Sequence, residues 1–175
     1  MFINKTKWPN GMNNAVMISV NLDAEYYVRL FDPDLNVDNK SFLDMGQESI
    51  ELGLPRLLDV LNSYCIKVTF FVPGAIAEKY PDALLSIVES GHEIGCHGYE
   101  HEHMGPLSRT EQYKVIQKGI KAIQEVCGIV PVGFRAPEGE ITKDTLILAK
   151  ELGFCYSSSL YTDNIPYYND LGTCK

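Results

Sequence analysis

No run in this 175-residue chain approaches the roughly 20 consecutive apolar residues that span a bilayer. Residues 1–11 carry polar side chains, Trp8 and Pro9 where a secretory leader would carry an apolar segment. The expectation is a cytoplasmic protein. Positive charge is scarce as well: Lys plus Arg total 15 against 23 Asp plus Glu, a net charge of −8. There is no basic stripe and no interleaving of arginine with aromatics, which argues against nucleic acid and against anionic membranes as partners. No two of the five cysteines (Cys65, Cys96, Cys127, Cys155, Cys174) have CxxC spacing, and their number is odd. Free thiols in a reducing compartment, mostly serving as small core side chains, fit this pattern. Internal repeats and low-complexity tracts are also missing.

What is present is the composition of a folded domain rather than of a disordered chain, with 45% hydrophobic residues. The length sets a single domain, 1–175, large enough for a sizeable core. Short β-rich runs alternate with amphipathic segments. Strands are expected at Ala15–Leu22, Ile66–Val72, His92–Cys96, Val130–Phe134 and Phe154–Ser157. Runs apolar on both faces suit a parallel sheet covered by helices. Helix ends are readable between them. Pro55 suits a first helical position, with Leu54, Leu57, Leu58 and Leu61 on one face. Pro81 opens a second helix that turns Leu84, Leu85 and Val88 inward and stops at Gly91. Ser108 and Glu111 form a capping box for a third, which buries Ile116, Ile120 and Ile123 and ends at Gly128. Thr142 caps a fourth, closed by Gly153. Strand–helix alternation of this kind marks an α/β domain with right-handed crossovers, whose chemistry collects at the C-terminal ends of the strands.

The chemically distinctive residues follow the β runs. Asp23 and Glu25 come after the first, His97 and His101 after the third, Arg135 after the fourth. In CHGYEHEH the two histidines have three residues between them, so a helical turn or tight loop lets both imidazoles face one point. Asp23 supplies a carboxylate from another strand. Two neutral nitrogens and one hard oxygen suit Zn²⁺, with Co²⁺, Ni²⁺ or Fe²⁺ as alternatives. Three protein ligands leave positions for water and substrate, a catalytic rather than a structural pattern. A metal so held lowers the pKa of bound water and polarises a carbonyl, which is the chemistry of amide or ester hydrolysis. His92 reads as structural and His103 as solvated. Glu138 and Glu140 read as acids that favour a helix start. Glu25 reads equally well as a rim carboxylate or a solvated side chain.

The runs SVNLDAE, KVTFFVPG, GHEIGCHGYEHE and GFRAPEGE, in this order, resemble the polysaccharide deacetylase family (carbohydrate esterase family four, with its NodB-homology domain) over roughly Val16 to Tyr168. The particular flavour is similar to the branch of intracellular peptidoglycan-deacetylase-like and allantoinase-like proteins. The resemblance implies a distorted (β/α) barrel of the seven-stranded deacetylase type, incomplete here at about five strands. It implies metal-dependent hydrolysis of N-acyl groups, usually N-acetyl on amino sugars. It implies Asp23, His97 and His101 as metal ligands and Arg135 as the arginine that orients the catalytic base. Phe134 and Pro137 belong to a groove-lining motif and, with Tyr99, are the residues expected to contact substrate.

Two departures stand out. The family usually carries its aspartate base two residues before the metal aspartate, where this chain has Asn21, and an amide does not take up a proton as a carboxylate does. Glu25 would then stand in, or the metal-bound water would react unaided. The histidine acid of the family lies in later motifs, whereas all four histidines here precede residue 104. The expectation is a truncated form, or one piece of a split protein, whose open edges are covered by a second copy or a complementing C-terminal chain. The tyrosines Tyr156, Tyr161, Tyr167 and Tyr168 read as core residues or as platforms for sugar rings. The substrate expectation is an acetylated amino-sugar polymer, with a small cyclic or linear amide as the alternative. A catalytically impaired metal- or carbohydrate-binding module is the competing reading.

Overall fold

A computed structural model of the chain describes residues 8, 11–13, 15–32, 34–160 and 166–167. Tyr161, Tyr168 and Cys174 lie outside the described residues. Five strands form one parallel sheet: β1 (Ser19–Asn21), β2 (Thr69–Val72), β3 (Glu93–Cys96), β4 (Gly133–Phe134) and β5 (Tyr156–Ser157). Their order in the sheet is their order in the chain, each strand beside the one before it. A doubly wound sheet reverses direction at a switch point, whereas this order is that of a barrel wall. The register pairs Val20 with Phe70, Phe70 with Ile94, Cys96 with Phe134 and Phe134 with Ser157.

All five expected strands are present, and each is shorter than expected. β1 begins at Ser19 rather than Ala15 because its neighbour β2 begins at Thr69, so residues 15–18 have almost no ladder to join. Val16, Met17 and Ile18 are exposed as a result, beside β1 at the end of the sheet order. β4 begins at Gly133 rather than Val130. Pro131 has no N–H to donate, and Val130 and Val132 on either side of it are exposed.

Six α-helices connect and cover the strands among the described residues: α1 (Lys40–Glu48), α2 (Leu54–Ser63), α3 (Gly74–Lys79), α4 (Pro81–Glu89), α5 (Arg109–Cys127) and α6 (Lys143–Glu151). α1 and α3 are additions to the four helices that the sequence signals. The Asn39 side chain opens α1 by accepting from the Ser41 N–H at 3.0 Å. α1 runs into α2 through a wide turn, Ser49–Gly53, in which the Leu54 N–H reaches back to the Ser49 carbonyl. That extra residue accommodates Pro55, which has no N–H to continue the regular ladder. In α4, Leu84 and Ile87 are buried and Leu85 is 39% exposed, so Ile87 takes the inward place expected of Leu85. The core joins Leu58 and Leu61 of α2, Phe70 and Val72 of β2, Ile76 of α3, Ile94 of β3, Ile116 and Ile123 of α5, and Phe134 of β4.

α5 is bounded as its sequence requires. Ser108 and Glu111 form both arms of the capping box, and Gly128 closes the helix at φ +68°. Two features fasten α5 to the loop after β3. Gln112 is buried and donates to the carbonyls of Met104 (3.1 Å) and Leu107 (2.9 Å) while accepting from Thr145 Oγ1 (2.6 Å). Gly119 lies so close to the Gly98 carbonyl oxygen that an added Cβ would overlap it. Gly119→Ala should therefore lower the thermal midpoint, at a cost of about 1–3 kcal/mol from overpacking. Thermal denaturation followed by circular dichroism checks this, and an unchanged midpoint would mean that α5 shifts freely over the loop.

Candidate metal centre

Asp23 stands just beyond β1. The Leu22 N–H still bonds the Phe71 carbonyl at 3.0 Å, and the Asp23 carbonyl starts the following helical turn by accepting from Tyr26 N–H at 2.8 Å. His97 stands just beyond β3, its N–H on the Val72 carbonyl at 3.0 Å. The chain then turns through Gly98 (φ +76°), and His101 itself adopts φ +63°. The two histidines thus meet across a loop rather than along a helix. A left-handed non-glycine residue costs of order 1 kcal/mol or more, and such conformations concentrate at functional sites.

Three side chains converge. Asp23 Oδ1 is 3.7 Å from His97 Nε2, and Asp23 Oδ2 is 3.8 Å from His101 Nε2. One ligand atom from each residue lies within 4.8 Å of the others. These separations are too long for hydrogen bonds. His97 Nε2 and Asp23 Oδ1 are buried with no hydrogen-bond partner among the described residues. Bonds of about 2.0–2.2 Å around a tetrahedral ion place neighbouring donor atoms roughly 3.3–3.6 Å apart, close to the spacing found. The residues present therefore fit a divalent cation.

Burial sets the charge state of the ligands. Burial, reinforced by the nearby Glu138 carboxylate and opposed by Arg135, pushes Asp23 up to about 7. Burial pushes His97 down to about 3, with the Arg135 carbonyl acting in the opposite sense. Burial, aided by His103, pushes His101 down to about 4. Both imidazoles are thus neutral near pH 7, the form that binds metal. His97 Nδ1 lies 2.7 Å from the Arg135 carbonyl oxygen, which can only accept. Nδ1 therefore carries the proton, and Nε2 turns its lone pair towards Asp23 and His101.

Arg135 stands after β4, as the strand pattern requires, with its N–H on the Cys96 carbonyl at 2.9 Å. Its guanidinium donates to Asn21 Oδ1 (2.7 Å), Ser19 Oγ (2.7 Å), and the carbonyl oxygen and Oγ of Ser158 (3.2 and 2.6 Å). It also stacks on the Phe71 ring at 4.1 Å. The structure brings Asn21 and Arg135 together across the sheet. Ser19 and Ser158 are partners that sequence reasoning missed, although the period-two spacing of Ser19, Asn21 and Asp23 is a readable signal that they share a face.

Other expected residues lie elsewhere. Glu25 is 1% exposed, and its carboxylate is taken up by Lys79 Nζ (2.5 Å) and Tyr80 Oη (3.2 Å). It braces the turn after Asp23 against α3, and this engagement corrects its reading as a substitute base. Phe134 has no exposed surface and packs on Phe154 at 5.3 Å, so it is a core side chain rather than a groove wall. Pro137 is buried as well. Tyr99 donates its hydroxyl to Glu78 (2.8 Å), and Lys118 sits 3.5 Å over its ring, which commits that ring to α3 and α5. His103, expected to be solvated, is held between the Arg29 carbonyl (3.0 Å) and Glu140 (3.2 Å). His92 is structural as expected, buried with its Nδ1 accepting from Val68 N–H at 3.3 Å. Glu138 is not a helix-start acid: it stands in a short 3₁₀ turn, its Oε1 3.6 Å from His101 Nε2.

The profile of the polysaccharide deacetylase family matches residues 42–157, about two thirds of the chain. The chain belongs to this family. It is 34% identical over 162 residues to the peptidoglycan deacetylase of Helicobacter pylori, covering 92% of this chain and 55% of that one. It superposes with a TM-score of 0.84 on the crystal structure of a protein assigned to the polysaccharide deacetylases of Mycobacterium smegmatis, at 36% identity, covering 91% of this chain and 56% of that one. The chain thus spans about half the length of these relatives. A structure named Puue allantoinase superposes at TM-score 0.79 over 95% of this chain and 61% of that one, but at 23% identity, a likeness of fold alone.

Elemental analysis of the purified chain after zinc reconstitution should find about one metal per chain, lost in His97→Ala. Glu25→Ala should keep the metal while lowering the thermal midpoint, by about 1–3 kcal/mol for the lost buried partner. Loss of metal in Glu25→Ala would return that residue to the site.

Proposed function

We propose that this chain holds the metal-binding part of an N-deacetylase that hydrolyses a non-peptide C–N bond in an acetylated amino-sugar polymer or oligomer. The observation that supports the reading most is the unbonded convergence of Asp23, His97 and His101 at the C-terminal edge of a parallel sheet. A Zn²⁺ ion, or Co²⁺ or Ni²⁺, held there would polarise the acetamido carbonyl and acidify a bound water. The chain's own residues prepare the site. The Arg135 carbonyl fixes the His97 tautomer, and Gly98 and His101 turn the loop so that both Nε2 atoms face Asp23. The Arg135 guanidinium, which can only donate, holds the Asn21 amide by its oxygen. The Asn21 NH₂ group is therefore left as a donor, suited to a substrate oxygen rather than to receiving a proton.

Asn21 also favours a second reading, a module that binds metal and sugar without turnover. Acetate release separates the two. The zinc-loaded chain should release acetate from chitooligosaccharides or peptidoglycan fragments, and Asp23→Asn should reduce the rate by at least about a hundredfold. Saturable sugar binding with no acetate would establish the second reading. Turnover of allantoin in preference to the acetylated sugars would overturn the substrate class.

A further inference from the structure

Glu138 is a carboxylate that the site brings in from a segment whose sequence reads as the prelude to a helix. Its Oε1 lies 3.6 Å from His101 Nε2, against 3.8 Å for Asp23 Oδ2 to the same nitrogen. It stands outside the tight group of three, about a third exposed, on the flank of His101. Its backbone is left-handed at φ +57°, a conformation uncommon for a residue with a side chain. The surrounding chain enforces it. Arg135 N–H is tied to the Cys96 carbonyl, Ala136 N–H to Ser159 Oγ at 2.9 Å, and Gly139 N–H closes the turn on the Ala136 carbonyl at 3.0 Å. Two carboxylates are thus directed at one imidazole nitrogen. Without a cation between them they repel each other.

We propose that Glu138 is a fourth, displaceable ligand for the divalent cation, closing the His101 flank that Asp23, His97 and His101 leave open. The inference rests on the metal reading above. Two carboxylates and two neutral imidazoles offset a divalent charge in formal terms, which raises affinity in a half-buried site. The exposure of Glu138 lets an incoming substrate oxygen replace it, with the carboxylate swinging out to solvent.

The test is a Co²⁺ titration of the metal-free chain, read by the visible absorption bands and by competition with a chelator of known affinity. Wild type is compared with Glu138→Gln and Glu138→Ala, and with Glu140→Gln as a control, since Glu140 pairs with His103 rather than facing His101. Thermal midpoints of the metal-free proteins show that each variant is folded. The expected result is one cobalt per wild-type chain, an affinity lowered roughly tenfold or more in both Glu138 variants with shifted bands, and an unchanged control. Unchanged affinity and bands in the Glu138 variants would overturn this inference and leave the three-ligand site standing. No cobalt bound by wild type would overturn the metal reading itself, and this inference with it.

Discussion

The hydrogen bond from His97 Nδ1–H to the Arg135 carbonyl is the constraint on which the rest of the site depends. It links the end of β3 to the end of β4, and it does so one residue beyond the single register pair, Cys96 with Phe134, that joins those strands. The same residue whose carbonyl sets the His97 tautomer extends its guanidinium back across the sheet to Ser19 and Asn21 at β1. Three strand ends are thereby held to one another at the point where Asp23, His97 and His101 face inward. Moving Arg135 disturbs His97 through its carbonyl and Ser19 and Asn21 through its side chain.

The site is arranged at an electrostatic cost that a cation would remove. Burial disfavours charge on Asp23 and on both histidines, and Glu138 adds a second carboxylate to the same space. Left-handed backbone at His101 and Glu138 adds strain on either side. Elements remote from the chemistry sustain the arrangement: Gln112 and Gly119 press α5 against the loop after β3, and Glu25, Lys79 and Tyr80 brace the turn after Asp23.

Much of this is legible in the sequence, for physical reasons. β-branched runs on a parallel sheet and capped amphipathic helices give strong local signals, so five strands and four helices can be read from them. Because chemistry gathers at strand ends, the strand pattern brings forward Asp23, His97, His101 and Arg135, and with them Glu25, whose carboxylate turns to Lys79 and Tyr80 instead. The rest is hidden by ambiguity or by distance. The α1 segment KSFLDMGQE mixes polar and apolar residues, and its continuation into α2 through a wide turn has no sequence signal. Glu25 finds its partners Lys79 and Tyr80 more than fifty positions away. A glutamate just before a helix ordinarily complements the dipole, and only the left-handed turn at Glu138 redirects it to His101. Phe134 could face either side of its strand, and the Phe154 ring decides for the core.

The central claim is that Asp23, His97 and His101 share one divalent cation. The most direct measurement is a crystal structure of the zinc-loaded chain with anomalous data collected on both sides of the zinc edge. The account predicts a single strong peak within about 2.0–2.2 Å of His97 Nε2, His101 Nε2 and an Asp23 carboxylate oxygen. A zinc-loaded crystal with its peak elsewhere, or with His97 Nε2 and Asp23 drawn into a direct hydrogen bond and no peak between them, would contradict it.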